Sequence, residues 1–206
     1  MSKALVELVK SRLPGAVLES HAQHGDDTLV IDPARWKEVC AFLRDAPQAD
    51  MQVLVDLTAV DYPDREPRFE IVAHLYSFNR GHRLRLKARV GDEDGDDAQI
   101  DSLTDLWASA NWLERECYDF FGVTFRGHPD LRRILLYAEF VGHPLRKDYP
   151  ADRIQPLVPY REVPNTEKLP PFGLDEGMSF GRQSHEWVGA REDGSREIAA
   201  DDGGDS

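Results

Sequence analysis

The sequence predicts an α+β fold: a two-layer domain of order α-β-β-α-β-β-β with a further helix, followed by an extended C-terminal tail. Three observations predict it. Apolar residues recur with a 3.6-residue period in two early segments, apolar runs with strand character follow, and all periodicity ends after Pro150. With 206 residues, 41% of them hydrophobic, the chain can bury one core and still carry something extra.

Ser2 can cap a first helix whose inward positions are Leu5, Leu8, Val9 and Leu13, closed by Pro14-Gly15. Two short strands, about 16–21 and 28–32, turn on the HGDD between them. Asp32 before Pro33 is an N-cap followed by proline at the first helical position, and Trp36, Val39, Cys40 and Leu43 give a second helix its stripe to about Asp45. Three stronger strands are predicted at 51–60, 68–78 and 82–90, the last two joined by the tight turn Asn79-Arg80-Gly81. In the last strand Leu84, Leu86, Ala88 and Val90 alternate with Arg83, Arg85, Lys87 and Arg89, so one face is dry and the other basic and wet. The acidic run 91–97, GDEDGDD, has Asp97 where a calcium loop needs glycine, and reads as a solvated turn. Ser102 and Asp105 begin a short helical turn. Asn111 with Glu114 offers a capping box for a helix to Phe121, and Gly122 suits its C-terminal cap.

Composition removes several function classes. A net charge of −13 repels phosphate backbones, and the basic group Arg126, Arg132, Arg133, Arg146, Lys147 and Arg153 is interleaved with Asp130, Asp148 and Asp152, so nucleic acid is not an expected partner. No apolar run approaches the ~18 residues of a membrane span, and the N-terminus has the pattern of an amphipathic helix rather than a signal peptide, which points to a cytoplasmic protein. Cys40 and Cys117 form no CxxC motif, so a cluster held by this chain alone is not expected, and both read as core residues.

The densest stretch is 111–150, NWLERECYDFFGVTFRGHPDLRRILLYAEFVGHPLRKDYP. On a helical projection Leu113, Cys117, Phe120 and Phe121 share one side, while Arg115 and Asp119 lie opposite with Trp112 beside them, which suggests an outward face for docking. Glu114 and Glu116 fall on opposite flanks, so they cannot act together as an acid/base pair. His128 and His143 stand in loops without metal-ligand spacing and read as hydrogen-bonding residues. Arg132, Arg133, Arg146 and Lys147 could hold an anion, or fold back on Glu114, Glu116, Asp130 and Asp148.

The ERE at 114–116 with Asp119, GHPDLRRIL from Gly127 and GHPLRKDYP from Gly142 resemble the signature of the 30 kDa subunit family of respiratory complex I, the C subunit of bacterial NADH-quinone oxidoreductases. The resemblance implies a non-catalytic scaffold of the peripheral arm. It assigns no catalytic, cofactor or metal residue to this chain, leaving FMN, iron-sulfur clusters and quinone to partner subunits. The expected partner is chiefly the 49 kDa-type D subunit with its neighbours, and the expected location is the cytoplasmic side of a bacterial membrane, reached indirectly through the complex. Signature and interface residues are then Trp112, Glu114, Arg115, Glu116, Asp119, Gly127, His128, Pro129, Asp130, Arg132, Arg133, Gly142, His143, Pro144, Arg146, Lys147, Asp148 and Tyr149. The chain would divide into an α+β domain at 1–125, signature loops with a partner-docking tail at 126–190, and an acidic, disordered end at 191–206. Two rivals stand beside this reading: the equivalent module of a related membrane-bound hydrogenase or dehydrogenase, and a free-standing enzyme acting on a small anion through His128, His143 and the arginines.

Overall fold

The computed structural model describes residues 3–92 and 97–158. The part of the acidic turn at 93–96 and the proline-broken tail from Pro159 onward, with Phe172, Phe180 and Trp187, lie outside the described residues, as does the expected acidic end. One compact unit covers Met1–Val158, so the signature loops after residue 125 cluster with the domain that precedes them.

Helix α1 (Lys3–Arg12) leads into strands β1 (Val17–Gln23) and β2 (Asp26–Ile31), then helix α2 (Trp36–Asp45) and strands β3 (Val53–Asp61), β4 (Phe69–Ser77) and β5 (His82–Val90). These strands make one mixed sheet of order β1-β2-β5-β4-β3, in which β2 and β5 run parallel and the other neighbours antiparallel. A pair of three-residue strands, β6 (Gln99–Asp101) and β7 (Thr124–Arg126), lies on either side of helix α3 (Ala110–Phe121) in sequence and pairs in parallel. The sequence pattern misses that pair, because three residues with one buried member each, Ile100 and Phe125, carry no readable period.

Asp32 caps as expected, its carboxylate accepting from the Ala34 amide at 2.9 Å, but the first turn is a 3-10 turn at Pro33–Arg35 that runs into α2. The capping box is not formed. The N-cap of helix α3 is Ser109, two residues earlier than the predicted Asn111, and the Ser109 hydroxyl donates to the Leu54 carbonyl at 3.1 Å. Glu114 turns inward instead, for the reason given below.

A single buried cluster joins Val9 of α1, Trp36 and Leu43 of α2, Cys117 and Phe121 of α3 and the alternate strand residues Leu29, Ile31, Ile71, Ala73, Leu84, Leu86 and Ala88. Cys40 and Cys117 are both buried, and burial pushes both thiols up. Among the described residues no helix packs on the opposite sheet face. There the buried Val30 and Val72 both stand level with Lys87, and Arg85, Lys87 and Arg89 pair with Asp26, Glu70 and Glu19.

Candidate functional site

Helix α3 packs on β3, and its stop is dictated locally: Gly122 adopts φ 78°, a left-handed cap that closes the last turn. A helix end leaves carbonyls without amide partners and carries partial negative charge. Here the second GHP segment supplies the missing donors. His143 Nδ1 donates to the Asp119 carbonyl at 3.0 Å, the Leu145 amide donates to Phe120 at 3.1 Å, and Arg146 Nε donates to Phe121 at 2.6 Å. A Cβ at Gly122 would stand 2.7 Å from both Arg146 Nη2 and the His143 ring, so glycine is required here for space as well as for its torsion angle.

The first GHP segment is tied to the other end of the helix, where the carbonyls are not orphaned and the bond is an additional one. His128 Nε2 donates to the Asn111 carbonyl at 3.1 Å, which fixes the tautomer, and its Nδ1 accepts from the Asp130 amide at 3.0 Å. The two echoes seen in the sequence are therefore two clamps on one helix. Neither histidine is held in a metal-binding group among the described residues.

Between the clamps lies Asp119, fully buried. Its Oδ2 accepts from three successive amides, Ile134, Leu135 and Leu136, at 3.1, 2.9 and 2.9 Å, and its Oδ1 accepts from Arg133 Nη1 at 2.8 Å. Burial alone would raise its pKa, but those amides and the guanidinium outweigh it and hold the carboxyl below the usual range. Arg133 also donates to the Gly142 carbonyl at 2.9 Å, tying the two loops together.

This arrangement corrects the single-helix projection. Asp119 and Arg115 do not form an exposed pair. Asp119 is consumed by the turn at 134–136, while Arg115 donates to the carbonyls of Arg132 and Arg133, each at 3.1 Å. The face that the projection leaves to solvent is covered by the chain's own loop, which no helical periodicity can reveal. Trp112, on that side, is 68% exposed.

Glu114 is also fully buried, accepting from Ser102 Oγ at 2.7 Å and the Leu103 amide at 2.6 Å. Burial is the larger influence and pushes its pKa up to about 7 despite those two donors. A carboxyl raised in the folded state stabilises the fold fully below its unfolded pKa and loses that contribution as pH rises through 7. Glu114→Gln, which removes the charge, accepts from the Leu103 amide through its one oxygen and turns its NH2 as a donor to Ser102 Oγ, is expected to stabilise the chain by about 3 kcal/mol at pH 8 and to change little at pH 4, each tenfold change in proton affinity being worth ~1.4 kcal/mol. Denaturant titrations of both forms at the two pH values check this.

The third anchor lies outside the signature. Arg68, 4% exposed, spans two aspartates: its Nε and Nη2 donate to Asp61 at 2.7 and 2.9 Å, and its Nη2 and Nη1 donate to Asp148 at 2.9 and 3.2 Å. Asp61 also accepts from the Lys147 amide at 2.7 Å, which pins the RKD segment to the end of the sheet. Sequence reasoning missed Arg68 and Asp61 because their partner lies 80 residues away from the arginine.

Of the remaining signature residues, Glu116, Pro129, Gly127 and Lys147 are exposed, and Arg132 pairs with Asp130 at the surface at 2.9 Å. Arg133 and Asp148 find Asp119 and Arg68 rather than Glu114 or Glu116. Pro144 is half-buried, and Tyr149 stacks on Phe140 at 6.1 Å with Gly142 close against its ring. Gln155 clasps the following segment, its amide exchanging hydrogen bonds with the Val141 backbone at 2.9 and 3.1 Å and donating to the Tyr149 hydroxyl. The loops so held present Leu135, Tyr137, Val141, Leu145, Ile154 and Leu157 to solvent, the last at 97% exposure.

Comparison with known proteins follows the same residues. The family "Respiratory-chain NADH dehydrogenase, 30 Kd subunit" matches residues 29–155. The C subunit of the NADH-quinone oxidoreductase of Xanthobacter autotrophicus is 48% identical over 142 residues, spanning 69% of this chain and 66% of that protein. Its counterpart in Geobacter sulfurreducens is 45% identical over 150 residues, 72% of this chain and 89% of that one. Among solved structures, a trypsin-resistant fragment (1–134) of Nqo5 superposes with TM-score 0.53 at 31% identity, covering 63% of this chain and 98% of the fragment.

Proposed function

Since the chain belongs to the family of the 30 kDa subunit of respiratory-chain NADH dehydrogenase, we propose that it is a docking scaffold in the peripheral arm of an NADH-quinone oxidoreductase and performs none of the chemistry itself. Electrons would pass from NADH to quinone through FMN and iron-sulfur clusters held by partner subunits, coupled to proton translocation by the assembly. The partner on the signature surface would be the 49 kDa-type D subunit, and the chain would sit on the cytoplasmic side of a bacterial membrane through its neighbours. No helix among the described residues is long and apolar enough to cross a membrane.

One observation carries this reading. The carboxylate of Asp119 is buried and spent on three amides and an arginine of its own chain, and the loop those bonds hold carries the exposed apolar residues Leu135 and Tyr137.

Trp112 provides the test. As an exposed aromatic beside the apolar loops it has the character of an interface hot spot, and at 68% exposure it contributes little to the fold. Trp112→Asp is expected to shift the isolated chain's stability by less than about 0.5 kcal/mol while lowering its incorporation into the membrane-bound complex about tenfold or more. Quantitative mass spectrometry of purified complex, beside a thermal melt of the free chain, reads both. Normal incorporation contradicts the proposal.

A further inference from the structure

Helix α3 buries a second carboxyl, which neither clamp uses. Glu114 receives the Leu103 amide on one oxygen at 2.6 Å and meets Ser102 Oγ with the other at 2.7 Å, at a point solvent does not reach. The hydroxyls continue from there: Ser102 Oγ lies 2.9 Å from Thr104 Oγ1 and accepts from the Thr104 amide at 3.2 Å, and Thr104 is half-buried. A chain of two hydroxyls therefore runs from the buried carboxyl toward the surface.

This chain is satisfied with the carboxyl in either protonation state. When Glu114 is a carboxylic acid, its O–H donates to Ser102 and the Ser102 hydroxyl donates to Thr104; when it is ionised, both hydroxyls turn round, Thr104 donating to Ser102 and Ser102 to the carboxylate. Ionisation therefore breaks no hydrogen bond, and what it adds is a buried charge. Around that charge stand Lys37 and Cys40 of α2, Asp105 of the turn and Cys117 of α3. Lys37 is already paired with Asp105 at 2.6 Å, and burial keeps both thiols protonated. On the adjoining strands Asp101 of β6 and Arg126 of β7 pair with each other at 2.9 Å. No basic side chain pairs with Glu114 among the described residues, so its charge has two neutral donors and nothing more.

We propose that residues 102–107 form a proton-controlled latch on α3, closed on the carboxylic acid of Glu114 and loosened by its carboxylate. The turn closes on itself through the Leu103 carbonyl, which accepts from the Leu106 and Trp107 amides at 2.9 and 3.0 Å, while Ser102 and Leu103 tie it to α3 through Glu114. The same turn reaches the base of the first GHP loop, because the Ser102 amide donates to the Arg126 carbonyl at 2.9 Å, one residue before Gly127. Burial raises the carboxyl from its ordinary 4.5 to about 7. The closed turn is therefore favoured in full below 4.5, loses that advantage as pH rises to about 7, and changes no further above it.

Native-state amide exchange of the full chain, corrected for the intrinsic effect of pH on exchange, tests this. The Leu103, Leu106 and Trp107 amides are expected to exchange through a local opening that low urea does not accelerate, and to lose protection roughly 50-fold between pH 5 and pH 8, levelling above 7. In Glu114→Gln, whose amide reproduces the donor and the acceptor of the acid, protection at these positions is expected to stay flat over the same range. A flat profile in the parent or an equal fall in Glu114→Gln overturns the proposal. So does exchange that rises with urea as steeply as at Leu86, because the opening would then be that of the whole fold. A second measurement does not depend on the variant: the infrared spectrum at pH 6, where ordinary carboxyls are ionised, should retain the carbonyl band of a protonated carboxylic acid that fades by pH 8. Absence of that band at pH 6 also overturns the proposal.

Discussion

Asp119→Ala is expected to destabilise the isolated chain by about 3–5 kcal/mol, the range for removing one partner of a buried charge network. The substitution leaves the amides of Ile134, Leu135 and Leu136 without their acceptor and Arg133 without its counter-charge, in a place that solvent does not reach. Because Arg133 also holds the Gly142 carbonyl, the two loops are expected to loosen together. Asp119→Asn should recover only part of the loss, since an amide oxygen accepts more weakly than a carboxylate and its NH2 would face Arg133. Denaturant unfolding gives the stability, and amide exchange at 134–136 gives the location. A loss below about 1 kcal/mol, or unchanged exchange at that turn, would place the anchor elsewhere.

Arg68→Met is expected to cost a similar amount, about 3–5 kcal/mol, by stranding the buried carboxylate of Asp61 and releasing Asp148. Replacing both members, Arg68→Met with Asp61→Leu, should be less damaging than the single change, because an apolar pair of similar volume carries no stranded charge. The cycle of single and double variants reads this directly. A double variant as unstable as the sum of the singles would contradict the pairing. Acid behaviour follows with a definite sign: Asp61 and Asp119 are held below the usual carboxylate range, so the stability they give is present above their unfolded pKa and disappears as pH falls through their folded values. Glu114 works in the opposite direction, with its effect between its unfolded value and about 7.

The sheet and its helices were legible because each obeys a local period. Leu84, Leu86, Ala88 and Val90 alternate, Trp36, Val39, Cys40 and Leu43 repeat at helical spacing, and the structure buries all eight. What a period cannot carry is pairing between distant segments. The parallel contact of β2 with β5, the β6–β7 pair and the Arg68 bridge to Asp148 each join residues separated by 25 to 80 positions, and their signals are single residues. The candidate site shows the same division. Its residue types and its repeated Gly-His-Pro were visible as a dense stretch, but the direction of Glu114 and Asp119 was not. Helical projection assigns a side by counting apolar neighbours, and here two carboxylates are buried against the Ser102 hydroxyl and backbone amides supplied by Leu103 and by the loop at 134–136.

That inward direction separates a shaping role from a chemical one, and the specific activity of assembled complex decides between them. NADH-quinone reductase activity of Asp119→Asn membranes, divided by the amount of fully assembled complex measured in the same sample, should equal that of the parent, with the whole deficit lying in the amount assembled. Complex assembled at the parental level with lost turnover would contradict the account, because it would make Asp119 part of the reaction rather than part of the fold.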